Sequence, residues 1–154
     1  IELIIKDLGD YTHRLPQRLN IGDPVQIDGA YGRFNFSDKN AQIWVSNGIG
    51  FTPFLARLKE LAKQPFNQPI DWFHADRDLS VEIIDQWKEL AKQANVTLHY
   101  IPSETQRLSA NYIAQSIQNS ENRSLWLCGS RSFTSNITGN LKTLSLHQEL
   151  FELR

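Results

Sequence analysis

The sequence predicts an α/β protein with a doubly wound, five-stranded parallel sheet, preceded by a fragment of a second domain. From residue 41 onward, short apolar stretches of strand length alternate with longer stretches whose apolar residues recur at helical spacing. Repeated strand–helix units of this kind build a parallel sheet that is covered by helices on both faces. The residues before Ser37 lack this alternation of strands and helices, and the polar run Ser37–Asn40 separates them from the second part. We therefore expect one domain over residues 1–38 and another over 41–154.

The part before this boundary carries strand and turn signals around one short helix. Ile1–Ile5 is an apolar run, and Val25–Gly29 alternates like a half-buried strand. A short helical stretch is expected to end at about Leu19. Thr12 fits a capping position of this helix, and the same helix N-terminus fits a bound phosphate, so both interpretations stay open.

The second part is predicted to contain five strands and four helices. The strands are expected at Gln42–Ser46, Ile70–Ala75, Val96–Ile101, Ser124–Cys128 and within Leu146–Leu153. The helices are expected from Thr52, near residues 80–94, from Ser109, and near residues 131–144. Thr52 is a plausible N-cap, and Pro53 would follow at the first helical position, where the missing N–H costs nothing.

Composition excludes several classes of protein. With 40% hydrophobic and 21% charged residues the chain is ordinary globular material, and its net charge of -1 gives no nucleic-acid footprint. No apolar run approaches the roughly 20 residues needed to cross a bilayer. The one cysteine, Cys128, excludes an internal disulfide and a cysteine-ligated iron–sulfur cluster within this chain, and we expect no metal site. Because the chain has no methionine and opens inside a strand-like run, we expect a piece of a longer protein.

The first candidate site follows the first predicted strand. Ligands of a doubly wound sheet bind beyond the carboxyl ends of its strands. Gly48 and Gly50 stand there, just before the helix that begins near Thr52. Glycines allow a phosphate to approach the backbone closely, and the helix N-terminus favours its negative charge. The same spacing also fits a tight strand-to-helix turn without a ligand.

Three further segments follow the next strands. In a dinucleotide site the acids of Asp76–Asp78 would favour a ribose 2′-hydroxyl, whereas Arg77 would favour a 2′-phosphate. A solvated charged turn is the alternative there, and a surface role is the alternative for Arg107 after the third strand. The Cys128 thiol, with Gly129 beside it, would face a planar ring after the fourth strand. Its alternative is a buried structural cysteine.

The order of the motifs resembles one known family. The motifs are Gly-Asp-Tyr-Thr at 9–12, Gly-x-Tyr-Gly-x-Phe at 29–34, Gly-Ile-Gly-x-Thr-Pro-Phe at 48–54, Arg-Asp at 77–78, Leu-Cys-Gly at 127–129, and a near-terminal Phe151. Over essentially the whole chain they resemble the ferredoxin–NADP reductase superfamily, and most closely the dehydrogenase domain of NADPH oxidases and ferric reductases. The resemblance implies a Rossmann-like NAD(P)-binding domain over 41–154. It also implies that 1–38 is the C-terminal fragment of an antiparallel, FAD-binding barrel domain.

The resemblance also implies roles for single residues on the flavin side. Gly9 and Thr12 match the motif that holds the FAD pyrophosphate, and Gly32 lies in the bend that closes the flavin barrel. Phe151 matches the aromatic residue that stacks on the flavin ring. The upstream flavin signature, Arg-x-Tyr-Ser/Thr, is not in this chain. We therefore expect FAD to be bound largely by an upstream domain and the isolated fragment to be inactive.

For the nicotinamide coenzyme, the resemblance implies three groups of binding residues: a glycine-rich loop, the 2′-phosphate and adenosine end, and the nicotinamide end. The loop residues that match are Gly48, Ile49, Gly50, Thr52 and Pro53. Arg77 and Arg107 match residues at the 2′-phosphate and adenosine end. Cys128 and Gly129 match the pair beside the nicotinamide. Thr52, Cys128 and Phe151 are then the positions closest to the transferred hydride.

Three residues depart from the family pattern. Ala30 and Ser130 replace usual prolines, and Asn47 replaces a usual glycine. None of these changes removes a catalytic group.

The implied function is hydride transfer from NADPH or NADH to FAD, with electrons passing on to haem and then to an acceptor such as oxygen, giving superoxide. Ferric reductases and soluble reductases of the ferredoxin or flavohaemoglobin type are alternatives, and so is a non-catalytic nucleotide-binding regulatory module. For the oxidase-like case we expect flavin and transmembrane haem domains upstream in the same chain. The full-length protein would then lie at the cytoplasmic face of the plasma membrane, whereas this fragment would be soluble.

Overall fold

The computed structural model describes residues 1–29, 32 and 34–151, and the chain divides into two compact units, Ile1–Gly32 and Arg33–Arg154. This division falls a few residues before the proposed boundary at 38. Phe36 explains the difference, because its side chain is only 8% exposed and its ring stacks on Trp126 with 4.7 Å between the ring centroids. The segment 34–38 is therefore joined to the core of the second unit.

The first unit contains one helix, α1 (Asp10–Arg18), and no strand among its described residues. The strands predicted at Ile1–Ile5 and Val25–Gly29 are therefore wrong for this structure. A strand forms by hydrogen bonding to a neighbouring strand, and no described segment of this unit pairs with either run. Their larger apolar side chains are accordingly exposed: Ile1, Leu3, Ile4, Ile5, Val25 and Ile27.

The second unit is the predicted doubly wound sheet. Its strands are β1 (Gln42–Asn47), β2 (Ile70–Asp76), β3 (Val96–Pro102), β4 (Ser124–Ser130) and β5 (Ser145–Phe151). They lie in the order β3-β2-β1-β4-β5, and every neighbouring pair is parallel. The helices are α2 (Thr52–Leu61), α3 (Val81–Gln93), α4 (Ala110–Ser116) and α5 (Arg131–Thr138). The predicted fold class is confirmed for this unit.

Successive side chains of each strand point to opposite faces of the sheet, and each face packs into its own hydrophobic core. Trp44, Trp72 and Trp126 are fully buried on one face, where α2 and α3 cover them. The neighbouring residues, such as Val45 and Leu127, are fully buried on the opposite face beneath α4 and α5. Because both faces are covered, the strands read as nearly continuous apolar runs.

Two predicted helix boundaries need correction. Thr52 is not an N-cap, since its own backbone is helical (φ -55°, ψ -47°) and no side chain caps α2. A 3₁₀ turn over Gly48–Phe51 has already wound the chain before this point. Helix α5 ends at Thr138 and not near 144, because Gly139 follows it as the C-cap and favours termination. None of the helices in the described ranges has the length and apolar character needed to span a membrane.

Candidate functional site

The topology places a switch point between β1 and β4. The chain leaves β1 towards β2 and β3 and then returns to form β4 on the other side of β1. The loops after β1 and β4 therefore lead to helices on opposite faces, which opens a crevice at the carboxyl edge of the sheet. A cavity of about 440 Å³ lies at this edge. Its polar lining residues are Asn47, Gln106, Arg107, Ser130, Ser132 and Asn136, together with Ser103.

The electrostatic character of the cavity is simple. Arg107 is the one charged side chain among the described lining residues, and none of them is acidic. Arg107 is exposed and has no hydrogen-bond or ion-pair partner among the residues that the structure describes. A cavity of this volume with one unpaired cation is suited to a small anionic ligand such as a nucleotide.

The Asn47 carboxamide ties β1 to β4 across the switch point. Its Oδ1 accepts a hydrogen bond from the Ser130 backbone N–H at 3.2 Å. A Cβ added at Gly129 would overlap this oxygen and would lie 2.9 Å from Cδ1 of Phe133. Packing against Asn47 and Phe133 is therefore a reason for glycine at 129, whereas the sequence suggested only room for a ring. Nothing in the sequence around Asn47 indicated this contact with Ser130.

The glycine-rich turn lies at the same edge but belongs to the other face of the sheet. Gly48 has φ +50°, a left-handed conformation that favours glycine, and Gly50 is buried. The turn packs against β4 and leads into α2, where Thr52 and Pro53 are partly buried. The five predicted loop residues are thus brought together with the ends of β1 and β4. None of Gly48, Ile49, Gly50, Thr52 and Pro53 lines the 440 Å³ cavity.

The loop after β2 is organised by the Asp76 carboxylate. Its Oδ1 accepts the backbone N–H groups of Arg77 (2.6 Å) and Asp78 (3.0 Å). The pKa of Asp76 is lowered to about 2, chiefly by the His74 imidazole and further by these N–H groups, although burial opposes the shift. His74 Nε2 lies 3.7 Å from Asp76 Oδ2, which exceeds hydrogen-bond length, so its influence is electrostatic.

The loops after β2 and β3 are joined, because the Ser103 N–H donates to the Asp76 carbonyl at 2.8 Å. Arg77 is exposed and, unlike Arg107, is not a lining residue of the cavity.

His74 belongs to a buried network beneath this loop. Its Nδ1 lies 2.8 Å from Ser46 Oγ, which also accepts the Trp72 indole N–H at 2.9 Å. Because the indole can only donate, the hydroxyl proton of Ser46 is free to point at Nδ1, and this pattern favours the imidazole proton on Nε2, towards Asp76. His74 is completely buried, which fits a structural role.

Cys128 packs inside the core. It is 1% exposed and belongs to the cluster of buried residues beneath α2. Burial raises the pKa of its thiol to about 12, and the charge of Glu149 adds to the shift. The thiol is therefore protonated throughout the physiological range and cannot act as a nucleophile or base there.

The remaining predicted residues lie at the two ends of the chain. Thr12 occupies the third position of α1, where its hydroxyl accepts the N–H groups of Leu8 (2.9 Å) and Gly9 (3.1 Å). It thus stabilises the first helical turn, but it is not the N-cap. Gly32 has φ +135°, in the region that favours glycine. Phe151 ends β5 opposite Ser130, and its side chain lies outside what the structure describes, as do Ala30, Tyr31, Arg33 and residues 152–154.

The sequence is distantly similar to two kinds of curated protein. No protein-family model matches the sequence. The curated "Flavohemoprotein" of Oceanobacillus iheyensis is 21% identical over 161 aligned positions, which cover 94% of this chain and 40% of that protein. The putative ribosomal RNA large subunit methyltransferase F of Vibrio cholerae is 27% identical over 97 positions, 63% of this chain and 26% of that protein. This chain thus spans well under half the length of either relative.

Solved structures share the fold. The flavohem-like FAD/NAD binding domain of nitric oxide dioxygenase from Vibrio cholerae superposes with a TM-score of 0.66 at 20% identity, covering 93% of this chain and 65% of that one. A mutant ferredoxin-NADP+ reductase from Plasmodium falciparum in complex with 2′P-AMP gives a TM-score of 0.64 at 21% identity, covering 88% and 63%. At these identities the likeness establishes the fold.

Proposed function

We propose, on the premise that this chain has the nucleotide-binding fold of the ferredoxin–NADP reductase superfamily, that it is the NAD(P)H-binding portion of a flavin-dependent oxidoreductase. The cavity at the switch point carries the proposal, because Arg107 is its one charged lining residue among those described and no acid opposes it. When both cofactors are bound, the nicotinamide supplies a hydride to FAD, and electrons then pass on to a further acceptor. The residues of this chain bind and orient the coenzyme.

We assign the 2′-phosphate end to Arg107 and Arg77. They lie on the loops after β3 and β2, which the hydrogen bond from Ser103 to Asp76 holds together. Arginine suits this role because its planar guanidinium binds phosphate oxygens through charge-assisted hydrogen bonds. Arg107 is the better supported of the two, since it lines the cavity. The glycine-rich turn and the start of α2 are proposed to approach the pyrophosphate.

At the nicotinamide end we propose Thr52, Cys128 and Gly129 as positioning residues. Thr52 stands at the beginning of α2, next to the turn that packs on β4. The protonated Cys128 thiol is buried, so it would support the end of β4 from within the core and would not itself form a contact surface. Phe151 is proposed to stack on the flavin ring, and its backbone position opposite Ser130, just beyond the Cys-Gly pair, supports a place at the same edge.

A further part of the proposal concerns the FAD site and the domains that would complete it. We propose that Gly9, Thr12 and Gly32 contribute to an FAD site that is completed by an upstream domain. Because Thr12 already satisfies the N–H groups of Leu8 and Gly9, the N–H groups within the first turn of α1 are the ones left for a phosphate. An oxidase-like protein would add transmembrane haem domains, lie at the cytoplasmic face of the plasma membrane and reduce oxygen to superoxide. A ferric reductase or a soluble flavohaemoglobin-type reductase would use the same coenzyme site.

Calorimetric titration of the 154-residue chain with NADP+ and NAD+ tests the coenzyme site. We expect NADP+ to bind more tightly than NAD+, and Arg107→Ala to weaken NADP+ about tenfold or more, as expected for a lost charged hydrogen bond. Arg77→Ala should weaken NADP+ less and leave NAD+ nearly unchanged. Arg14→Ala, on α1 in the first unit, is the matched control and should change neither. If the parent chain binds neither coenzyme, the proposal is wrong.

The likeness to a methyltransferase favours methyl transfer as a second candidate, and it covers 63% of the chain. The usual methyl donor, S-adenosylmethionine, carries adenosine but no phosphate, so it would not need Arg107. Titration with S-adenosylmethionine therefore separates the two candidates, and we expect no binding. A regulatory module that only binds nucleotide is separated by mixing the full-length protein with NADPH, since an oxidoreductase bleaches its flavin absorbance and a binding module does not.

A further inference from the structure

Asn47 lies at the switch point, and the proposed function gives its side chain no role. It ends β1, lines the cavity, and contacts β4 through Ser130. Its backbone is extended (φ -135°, ψ 146°), a conformation that any residue adopts, so the turn does not require a particular side chain at this position.

The hydrogen bond to Ser130 determines the orientation of the Asn47 carboxamide, that is, which branch carries Oδ1 and which carries Nδ2. A backbone N–H can only donate, so the atom that faces the Ser130 N–H at 3.2 Å must be the Asn47 oxygen. The Nδ2 group, with two donors, is then on the other branch. It makes no hydrogen bond to another described residue. Because the oxygen is held against β4, rotation that would exchange the two branches is disfavoured.

A second amide in the cavity is oriented in the opposite sense. Asn136 Nδ2 donates to the Ser132 carbonyl at 2.9 Å, so Asn136 has its oxygen uncommitted. Three side-chain amides therefore line the cavity beside the Arg107 guanidinium: Asn47 has its donor uncommitted, Asn136 has its oxygen uncommitted, and the Gln106 side chain makes no hydrogen bond to another described residue. This difference makes Asn136 a matched comparison for Asn47.

We propose that Asn47 determines ligand specificity in this cavity: Ser130 fixes its carboxamide so that Nδ2 donates a hydrogen bond to an acceptor oxygen of the bound nucleotide. The inference rests on the proposed function, which supplies the ligand class. The acceptor is an oxygen of the pyrophosphate or of the nicotinamide carboxamide, since both carry lone pairs that can accept an amide N–H. A ligand that presents a donor to Asn47 Nδ2 is excluded, since two donors cannot pair.

Asn47→Asp tests the donor separately from the link between the strands. Aspartate has the same shape and still accepts the Ser130 N–H, but it replaces the Nδ2 donor by a charged acceptor. Asn136→Asp adds the same charge to the same cavity and keeps the proposed Asn47 donor, but it loses the bond to the Ser132 carbonyl, so the thermal midpoint of both variants is measured as well. Both variants are titrated with NAD+ and with ADP-ribose in 0.5 M salt, where charge repulsion is screened over a few ångströms, about 4 Å.

We expect Asn47→Asp to weaken NAD+ about tenfold more than Asn136→Asp, with little change in the thermal midpoint of Asn47→Asp. If Asn47→Asp loses as much affinity for ADP-ribose as for NAD+, the acceptor oxygen belongs to the pyrophosphate. If its affinity for ADP-ribose is unchanged, the acceptor oxygen belongs to the nicotinamide carboxamide. Equal losses of NAD+ binding in the two variants overturn the inference. If the parent chain binds neither ligand, the proposed function fails first and the inference with it.

Hydrogen exchange at the Ser130 amide provides a readout that needs no ligand. Exchange should stay slow in Asn47→Asp, which keeps the acceptor, and become fast in Asn47→Gly, which lacks it. Fast exchange in the parent chain would show that the carboxamide is not fixed by Ser130, and the inference would be wrong.

Discussion

The Cys128 thiol is 1% exposed, and burial, reinforced by Glu149, raises its pKa to about 12. We predict that alkylation of the folded chain by iodoacetamide stays slow between pH 7 and pH 10, because the reactive thiolate is not formed. The same chain unfolded in urea should react with a midpoint near an ordinary thiol pKa, about 8.5. A folded chain whose alkylation rate rises with that ordinary midpoint would show that Cys128 is accessible and ionised.

Asp76 makes the stability of the chain depend on acid pH. Its pKa lies at about 2, below the ordinary 3.8, so its contribution is fully present above pH 4 and is lost as the pH falls through 2. The shift corresponds to roughly 2 kcal/mol of unfolding free energy at neutral pH. We predict that Asp76→Asn lowers stability in urea at pH 6 by an amount of this order, and that the gap to the parent closes near pH 2. Asp78→Asn, at an exposed neighbour, should show little effect. A gap that is constant with pH would contradict this account.

At single positions, the sequence shows which side chains stand at the ends of strands but not which of them meet. Arg107 was selected because it follows the third strand, and it does line the cavity. Asn47 was passed over because its partner, Ser130, lies 83 positions away along the chain. Contacts of this kind arise from the strand order, and β1 and β4 become neighbours only after the sheet has formed.

Among the elements, the junction of β4 and α5 depends on glycine at 129. We predict that Gly129→Ala lowers the thermal midpoint and weakens NADP+ binding, because the added Cβ would overlap Asn47 Oδ1 and crowd Phe133. Gly139→Ala is the control, since a Cβ there would lie 3.4 Å from the Ser135 carbonyl oxygen and φ is -70°.

Adding Asn47→Gly to Gly129→Ala should restore part of the lost stability, because it removes the overlapping oxygen. If the double variant is no more stable than Gly129→Ala, the clash with Asn47 is not the cause.

The elements of the second unit were predictable because both faces of the sheet are buried, which leaves apolar runs of strand length between amphipathic helices. The errors arose where a partner or a neighbouring turn decides the structure. Ile1–Ile5 has strand composition but no described strand beside it. Thr52 has N-cap composition, yet the 3₁₀ turn before it makes its own backbone helical. Local propensity does not contain either piece of information.

For the whole molecule, the position of the domain boundary can be measured. Residues 33–154 contain Phe36, which packs on Trp126, and Asp38, which accepts hydrogen bonds from the hydroxyls of Ser124 and Ser145. We predict that a chain of residues 33–154 keeps the thermal midpoint of the second unit. A chain of 41–154 should lose at least about 3 kcal/mol, the usual cost of removing a buried phenylalanine. Equal stability would place the boundary at 38–41, where the polar run Ser37–Asn40 predicts it.

Solved structures of ferredoxin–NADP+ reductase and of a flavohem-like FAD/NAD binding domain share the fold of this chain, and we propose a coenzyme site at the switch point between β1 and β4. The most direct test is a titration of the chain with NADP+ followed by residue-assigned amide NMR. We expect shifts at Asn47, Ser103, Arg107 and Ser130 along the carboxyl edge, and none at Ser145 on the amino edge. If shifts are absent, or are confined to the amino edge, the coenzyme does not bind at the switch point.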